Sequence, residues 1–245
     1  MRALRVLLIV VVILGILFVI VDRVAVHFAE GEAADKLKAT QNLAETPDVS
    51  INGFPFLTQV AGGSLDDVEV GIKDYEAATG NGNEQIRIDD LKADMKDVEF
   101  SGDYSSATAS TATGTATIAY DELLKAAKAE PTQVAPGVTA HVVGLSDGGN
   151  GKIKVAVDLK VPALNVDKTV PLLSTVTVVG DTVKVRADNL PAVGGIALAE
   201  NRIREITDIK QAIDRLPGGI KLDSVRAAPN GVEITVKGSN VKLAG

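Results

Sequence analysis

The side chains that most often do chemistry are few in this chain and poorly spaced for it. There are two histidines, His27 and His141, and no cysteine. Neither histidine has companions at ligand spacing: no His-Glu-x-x-His helix, no paired cysteines and no EF-hand loop. A metal centre therefore has no donor set to start from, and no metal or cofactor is expected. His141 sits in a strand pattern and reads as structural. Nucleophilic catalysis fares no better. Gly62-Gly63-Ser64-Leu65-Asp66 lacks the second glycine of a nucleophile elbow, and neither histidine has a visible triad context. The glycine-rich tracts Gly80 to Asn83 and Gly148 to Gly151 lie between strand patterns rather than before helices, so they read as hairpin loops and not phosphate cradles. Asp66-Asp67 and Asp89-Asp90 offer carboxylates to a cation, but such pairs are far more often solvated charges that protect a strand edge. Without paired catalytic groups, the chain reads as a binding protein and not an enzyme.

The chemistry that remains is apolar. Ile51-Asn52-Gly53-Phe54-Pro55-Phe56-Leu57-Thr58-Gln59-Val60-Ala61-Gly62-Gly63 holds two of the five phenylalanines in a chain without tryptophan. Pro55 has a fixed φ and no N–H, so Phe54-Pro55 has no place in a central strand. The two rings are expected to leave a strand edge together and fill something apolar. Two readings stay open: a core plug closing one end of a sheet, and the rim or floor of a hydrophobic ligand site. Leu57 continues the apolar run beside Phe56, which places Phe56 nearer the core. Asn52 and Gly53 place Phe54 nearer an opening.

The same stretch carries a resemblance. Gly53-Phe54-Pro55-Phe56-Leu57-Thr58-Gln59, then Gly62-Gly63 and Asp66-Asp67-Val68-Glu69-Val70, resembles the signature of the LmeA-like phospholipid-binding family of actinobacteria. The resemblance implies a domain of the tubular-lipid-binding, BPI-like superfamily behind an N-terminal membrane segment. It also implies a groove for the acyl chains of a phospholipid or other diacyl lipid, and a link to lipoglycan assembly in the cell envelope. By motif position and strand face, the candidate lining is Phe54, Phe56, Leu57, Leu65, Val68, Val70, Met95 and Phe100.

The elements that must position these residues begin with an apolar run. Val6 to Val21 is unbroken save for one glycine, spans about 24 Å as a helix, and follows Arg2 and Arg5. The basic residues favour a cytoplasmic N-terminus, leaving the rest outside the cytoplasm. A cleaved signal peptide is the rival, but Asp22-Arg23-Val24-Ala25-Val26-His27-Phe28 makes a poor cleavage site. The expected division is a membrane anchor over 1–23 and an extracytoplasmic domain over 24–245. The net charge of −7 excludes the basic footprint of a nucleic-acid binder, and it argues against broad electrostatic capture of anionic headgroups.

Beyond the anchor, Val26, Ala29, Ala33, Leu37, Thr40 and Ala44 recur at helical spacing and predict an amphipathic helix ending before Pro47. From Val49 the period is two. In the stretch from Ile86 to Phe100 the alternation slips near Asp89-Asp90 and near Lys96-Asp97, which predicts β-bulges and a curved sheet. Ala112, Gly114, Ala116 and Ile118 give the strand from Ser105 to Thr117 a nearly bare inner face. Tyr120 to Ala129 reads as a short helix. Hairpins are expected around Ser146 to Gly151, Gly180-Asp181 and Pro229-Asn230-Gly231. Ile203, Ile206, Ile209, Ile213 and Leu216 form a helical stripe, with Asp208 as a cap of its second part. The fold class is α+β: a long curved antiparallel β-sheet wrapped around an N-terminal helix, preceded by a single transmembrane helix. The expected partners are a diacyl lipid and the cell membrane. The alternative is a structural envelope protein with a filled core that binds a protein partner through a sheet edge.

Overall fold

Helix α1 runs from Arg2 to Gln41 without a break. The apolar run and the amphipathic stripe behind it are therefore one element. A computed structural model gives the fold, with residues 2–78, 85–103, 105–126, 131–179, 182–188, 204, 207–212 and 220–244 described. No proline interrupts α1, and its two glycines do not end it. The helix is exposed on all sides from Val6 to Val21 and then becomes one-sided, with Val26 and Ala34 buried. It stops in a Schellman-type motif. Asn42 takes the left-handed position at φ 51°, and the Leu43 N–H donates to the Lys38 carbonyl at 3.0 Å.

Among the described residues twelve strands follow, in two six-stranded sheets. The first sheet is ordered β1 (Asp48–Asn52), β2 (Ser64–Ala78), β3 (Gln85–Phe100), β4 (Ala107–Ala119), β12 (Gly231–Ala244) and β11 (Lys221–Ala228). The second is ordered β10 (Ile209–Ala212), β9 (Thr182–Ala187), β8 (Val166–Val179), β7 (Lys152–Val161), β6 (Val138–Gly149) and β5 (Thr132–Ala135). The short helices α2 (Phe56–Gly62) and α3 (Tyr120–Ala126) lie between strands. The architecture is α+β, an N-terminal helix followed by antiparallel sheets.

The slip near Lys96-Asp97 corresponds to a real irregularity. Asp97 lies in β3 with φ 49°, where the period breaks before Val98. In β11 the buried residues are Leu222, Val225 and Ala227. The step of three is absorbed by a register shift between Leu222 and Ser224 against β12, which keeps all three on one face. Strand β7 needs no such device: Ile153, Val155, Val157, Leu159 and Val161 alternate strictly into the core.

The chain sorts into two compact units. One comprises Met1–Ile72, Lys92–Thr113 and Gly238–Gly245, the other Lys73–Leu91 and Gly114–Lys237. Each has its own apolar core. In the first, Val26 of α1 meets Phe56, Leu65, Val98 and Ala109. The second gathers Val134, Val138, Ala140, Leu172, Leu222 and Val232 around the inner face of β7.

Three expectations need correction. The hairpin loop between β6 and β7 is only Asn150-Gly151, because the strands continue to Gly149 and from Lys152. The helical stripe does not continue through Ile209. That residue begins β10 and pairs with Val185 of β9, so strand pairing overrides the helical spacing for this β-branched residue. Asp208 accordingly caps no helix there; its carboxylate accepts the Ala187 N–H at 3.1 Å. Ile203, Ile206, Ile213 and Leu216 lie outside the described residues, as do Gly80 to Asn83 and Gly180-Asp181. The flanking residues Val179 and Thr182 do pair, with two residues between them.

Candidate functional site

The stretch from Gly53 to Gly63 is a loop and a helix, not a strand edge. The chain leaves β1 at Asn52 and turns at Gly53, whose φ is 99°. A φ of 99° strains any residue with a side chain, and a Cβ on Gly53 would also crowd the Asp66 carboxylate, at 2.7 Å, and the Gln59 amide. Pro55 is extended and sits at the N-cap of α2. Gly63 closes the helix in the left-handed region, its N–H donating to the Val60 carbonyl at 3.0 Å. The sequence signal for this helix, passed over by the strand-edge expectation, is a four-residue spacing, Phe56 with Val60 and Leu57 with Ala61, ahead of a glycine pair.

Pro55 provides no side-chain cap, and Asp22 takes that role from α1. Its Oδ1 accepts the Leu57 N–H at 2.8 Å, and the Phe56 N–H also donates to this carboxylate. A carboxylate at the first turn of α2 satisfies donors that a helix start leaves orphaned. Asp22 is fully buried and is paired with the Arg23 guanidinium at 2.6 Å. Arg23 also reaches the Gly53 carbonyl at 3.4 Å and lies over the Phe54 ring, 5.3 Å from its centroid. Farther along α1, Glu30 accepts the Ile51 N–H at 2.9 Å. Two acidic residues of α1 thus fasten it to β1 and α2. Sequence reading missed both, because each partner is more than twenty residues away in the chain; only the charge directly after the apolar run marked Asp22.

The two rings of the motif part company. Phe56 is 8% exposed and packs in the core of the first unit, whereas Phe54 is 57% exposed. Leu65 is buried beside Phe56, and Leu57, Val68, Met95 and Phe100 are half-buried around them. Six of the eight candidate residues therefore converge on one apolar cluster. Phe54 stands outside it, and Val70 is half-buried without being part of it. The bare face of β4 is partly confirmed as an inner face, with Ala112 and Ile118 buried and Gly114 and Ala116 half-buried.

A depression of about 410 Å³ lies beside the C-terminal end of α2, lined by Ala61, Gly62, Gly63, Ser64, Glu99, Phe100, Ser101 and Gly102. Of the candidate lining, only Phe100 reaches it. At its edge Asp103 accepts from the Ser101 and Ser105 hydroxyls, which hold its carboxyl down at about 2. Nearby in the same unit, the carboxylates of Asp67, Glu69 and Asp94 converge. Lys96 occupies that patch, 3.2 Å from Asp67 and 3.4 Å from Asp94, and the Asp67 carboxylate raises the Lys96 ammonium above its usual range. Asn52 donates to Glu69 at 3.2 Å. Each of the three carboxylates thus already has a partner, Lys96 or Asn52, within the patch. His27 is exposed, 3.9 Å from Glu30, and His141 sits in β6 opposite Asp158.

What this arrangement can do is hold apolar matter. The described site residues supply large apolar side chains on a framework fixed by backbone N–H groups that donate to the Asp22 and Glu30 carboxylates, with no reactive pair among them. No curated protein and no solved structure matches the chain. The profile of one family, LmeA-like phospholipid-binding, matches residues 20–237, nearly the whole chain after the apolar run. The chain belongs to the LmeA-like phospholipid-binding family.

Proposed function

We propose that this protein is a membrane-anchored phospholipid-binding protein whose domain lies on the extracytoplasmic side. The acyl chains of a phospholipid or other diacyl lipid are held against the apolar cluster of the first unit. The observation that carries this reading is the family match over residues 20–237. The apolar cluster supports it. Leu57, Val68, Met95 and Phe100 are half-buried at its margin, where an acyl chain reaches them without displacing Phe56 or Leu65. Val70, on the strand face of Val68, extends the proposed wall.

Hydrophobic transfer is sufficient as the driving force. At about 0.8 kcal/mol per buried methylene, a chain of roughly sixteen carbons offers about 13 kcal/mol. That offsets an association cost of several kcal/mol or more, so binding needs no specific headgroup contact. No catalytic residue is assigned. The helix from Arg2 onward is long and apolar enough to cross a membrane. Arg2 and Arg5 at its start favour the orientation given. Lipid transfer, or support of lipoglycan assembly in the cell envelope, is the role into which such binding fits.

Native mass spectrometry of the purified chain, extracted and then offered phosphatidylglycerol or phosphatidylethanolamine, tests the binding. A one-to-one lipid adduct that survives detergent removal is expected. A chain that stays lipid-free at every lipid concentration would refute it and favour a filled core serving a protein partner.

A further inference from the structure

Large apolar side chains remain exposed on α1 past the end of the apolar run. Val24 is 66% and Phe28 is 70% exposed. With Val21 they form one stripe at i, i+3 and i+7, on a helix that turns Val26 and Ala29 toward the core. At 1.5 Å per residue, Val24 and Phe28 stand about 4.5 and 10 Å beyond Val21. A further exposed apolar side chain, the Phe54 ring, is held at this same level by Arg23 and Asp22 through the ring contact, the Gly53 carbonyl and the cap on α2. Arg23 itself is half-exposed among these apolar groups.

We propose that the Gly53–Pro55 loop and the Val24–Phe28 stripe form a surface that docks into the headgroup layer of the bilayer. Phe54, Val24 and Phe28 enter the boundary between headgroups and acyl chains. Arg23 sits among the lipid phosphates. The inference rests on the anchor reading of α1. The occupant is a bilayer because the patch continues directly from the apolar run: at about 24 Å the run is shorter than the roughly 30 Å hydrocarbon core, so Val24 and Phe28 fall at the core's edge and in the headgroup layer of roughly 5–7 Å outside it. Its chemistry fits: aromatic rings settle at the membrane interface, and a guanidinium pairs with phosphate through parallel N–H donors. The Asp22 contacts make the surface rigid, because they fix the loop to the same helix that spans the membrane. One side of Pro55 then touches the bilayer while Phe56, on the other side, touches the apolar cluster.

The chain has no tryptophan, so a single introduced indole reports its own depth. Full-length Phe54→Trp, Phe28→Trp, Leu14→Trp and Ala39→Trp variants are reconstituted in phosphatidylcholine vesicles brominated either near the carbonyl end or near the tail of the acyl chain. Ala39 is exposed and lies about 27 Å past Val21 along α1. Phe54→Trp and Phe28→Trp are expected to emit at shorter wavelength than Ala39→Trp and to be quenched mainly by the shallow bromines. Leu14→Trp should be quenched most by the deep ones. If Leu14→Trp is quenched while Phe54→Trp and Phe28→Trp match Ala39→Trp, the docking surface is overturned and the anchor stands. If Leu14→Trp escapes quenching, the anchor reading fails and the docking surface fails with it.

Discussion

Phe54 and Phe56 are two residues apart and have opposite surroundings. Phe56 is enclosed by Val26, Leu65, Val98 and Ala109, while Phe54 meets chiefly the Arg23 guanidinium. Truncating a buried phenylalanine removes its transfer energy and leaves a cavity. Phe56→Ala is expected to cost about 3–5 kcal/mol in the lipid-free protein. Phe54→Ala should change stability by about 0.5 kcal/mol or less, as exposed substitutions do. Denaturant melts of delipidated protein separate the two, and equal losses would contradict the burial difference. At this scale the apolar character of the candidate residues could be read from residue types alone. The framework could not. Asp22 caps a helix that begins 34 residues later, as its bond to the Leu57 N–H, 35 residues on, shows. No local pattern announces such a partner. The need for glycine at position 53 likewise becomes visible only once Gln59 and Asp66 are seen to crowd it.

Helix α1 shows how far periodicity carries and where it stops. Composition located the apolar run, and spacing located the small-residue stripe. No proline separates them, so they form one helix, but the Asp22 and Glu30 contacts that dock it on α2 and β1 lie outside the helix pattern. Gly31 sits in this helix with open space where a Cβ would stand. Gly31→Ala should therefore stabilise the protein by about 0.5–1 kcal/mol, through lower backbone entropy in the unfolded chain; an unchanged or lowered melting temperature would contradict that. Strand β10 is the counter-example. Ile209 fits a helical stripe by spacing, yet it pairs with Val185, because strand formation is decided by a neighbour and not by local spacing. Beside that hairpin, Asp188 ties β7 to β8. Its carboxylate accepts from Lys152 and from Thr175, each at 2.6 Å. The Lys152 ammonium, followed by the Thr175 hydroxyl, lowers its pKa from the ordinary 3.8. A carboxyl depressed in the folded state adds stability that is complete above its unfolded pKa and is lost as pH falls through the folded value. Thermal stability is thus expected to hold near neutrality and to decline below about pH 4. Asp188→Asn should flatten part of that decline, and an identical acid profile in the variant would count against the contact.

At the scale of the whole molecule, each compact unit carries its own core, and the candidate lipid contacts belong to the first. Six of the eight proposed lining residues meet there, although they come from α2, β2 and β3, up to 44 positions apart in the chain. Strand faces and the aromatic motif were enough to gather most of them. They failed for Val70, which shares the face of Val68 but stays outside the cluster, and for Phe54, which Pro55 sends outward. The central claim is that phospholipid acyl chains lie against this cluster. The most direct measurement is photocrosslinking of the full-length protein with a phosphatidylcholine carrying a diazirine at the acyl-chain end, followed by peptide mapping. Lipid held at this site predicts adducts on peptides containing Leu57, Val68, Met95 or Phe100, suppressed by excess unlabelled phospholipid. Adducts confined to the apolar run of α1, or labelling that unlabelled lipid does not suppress, would contradict it.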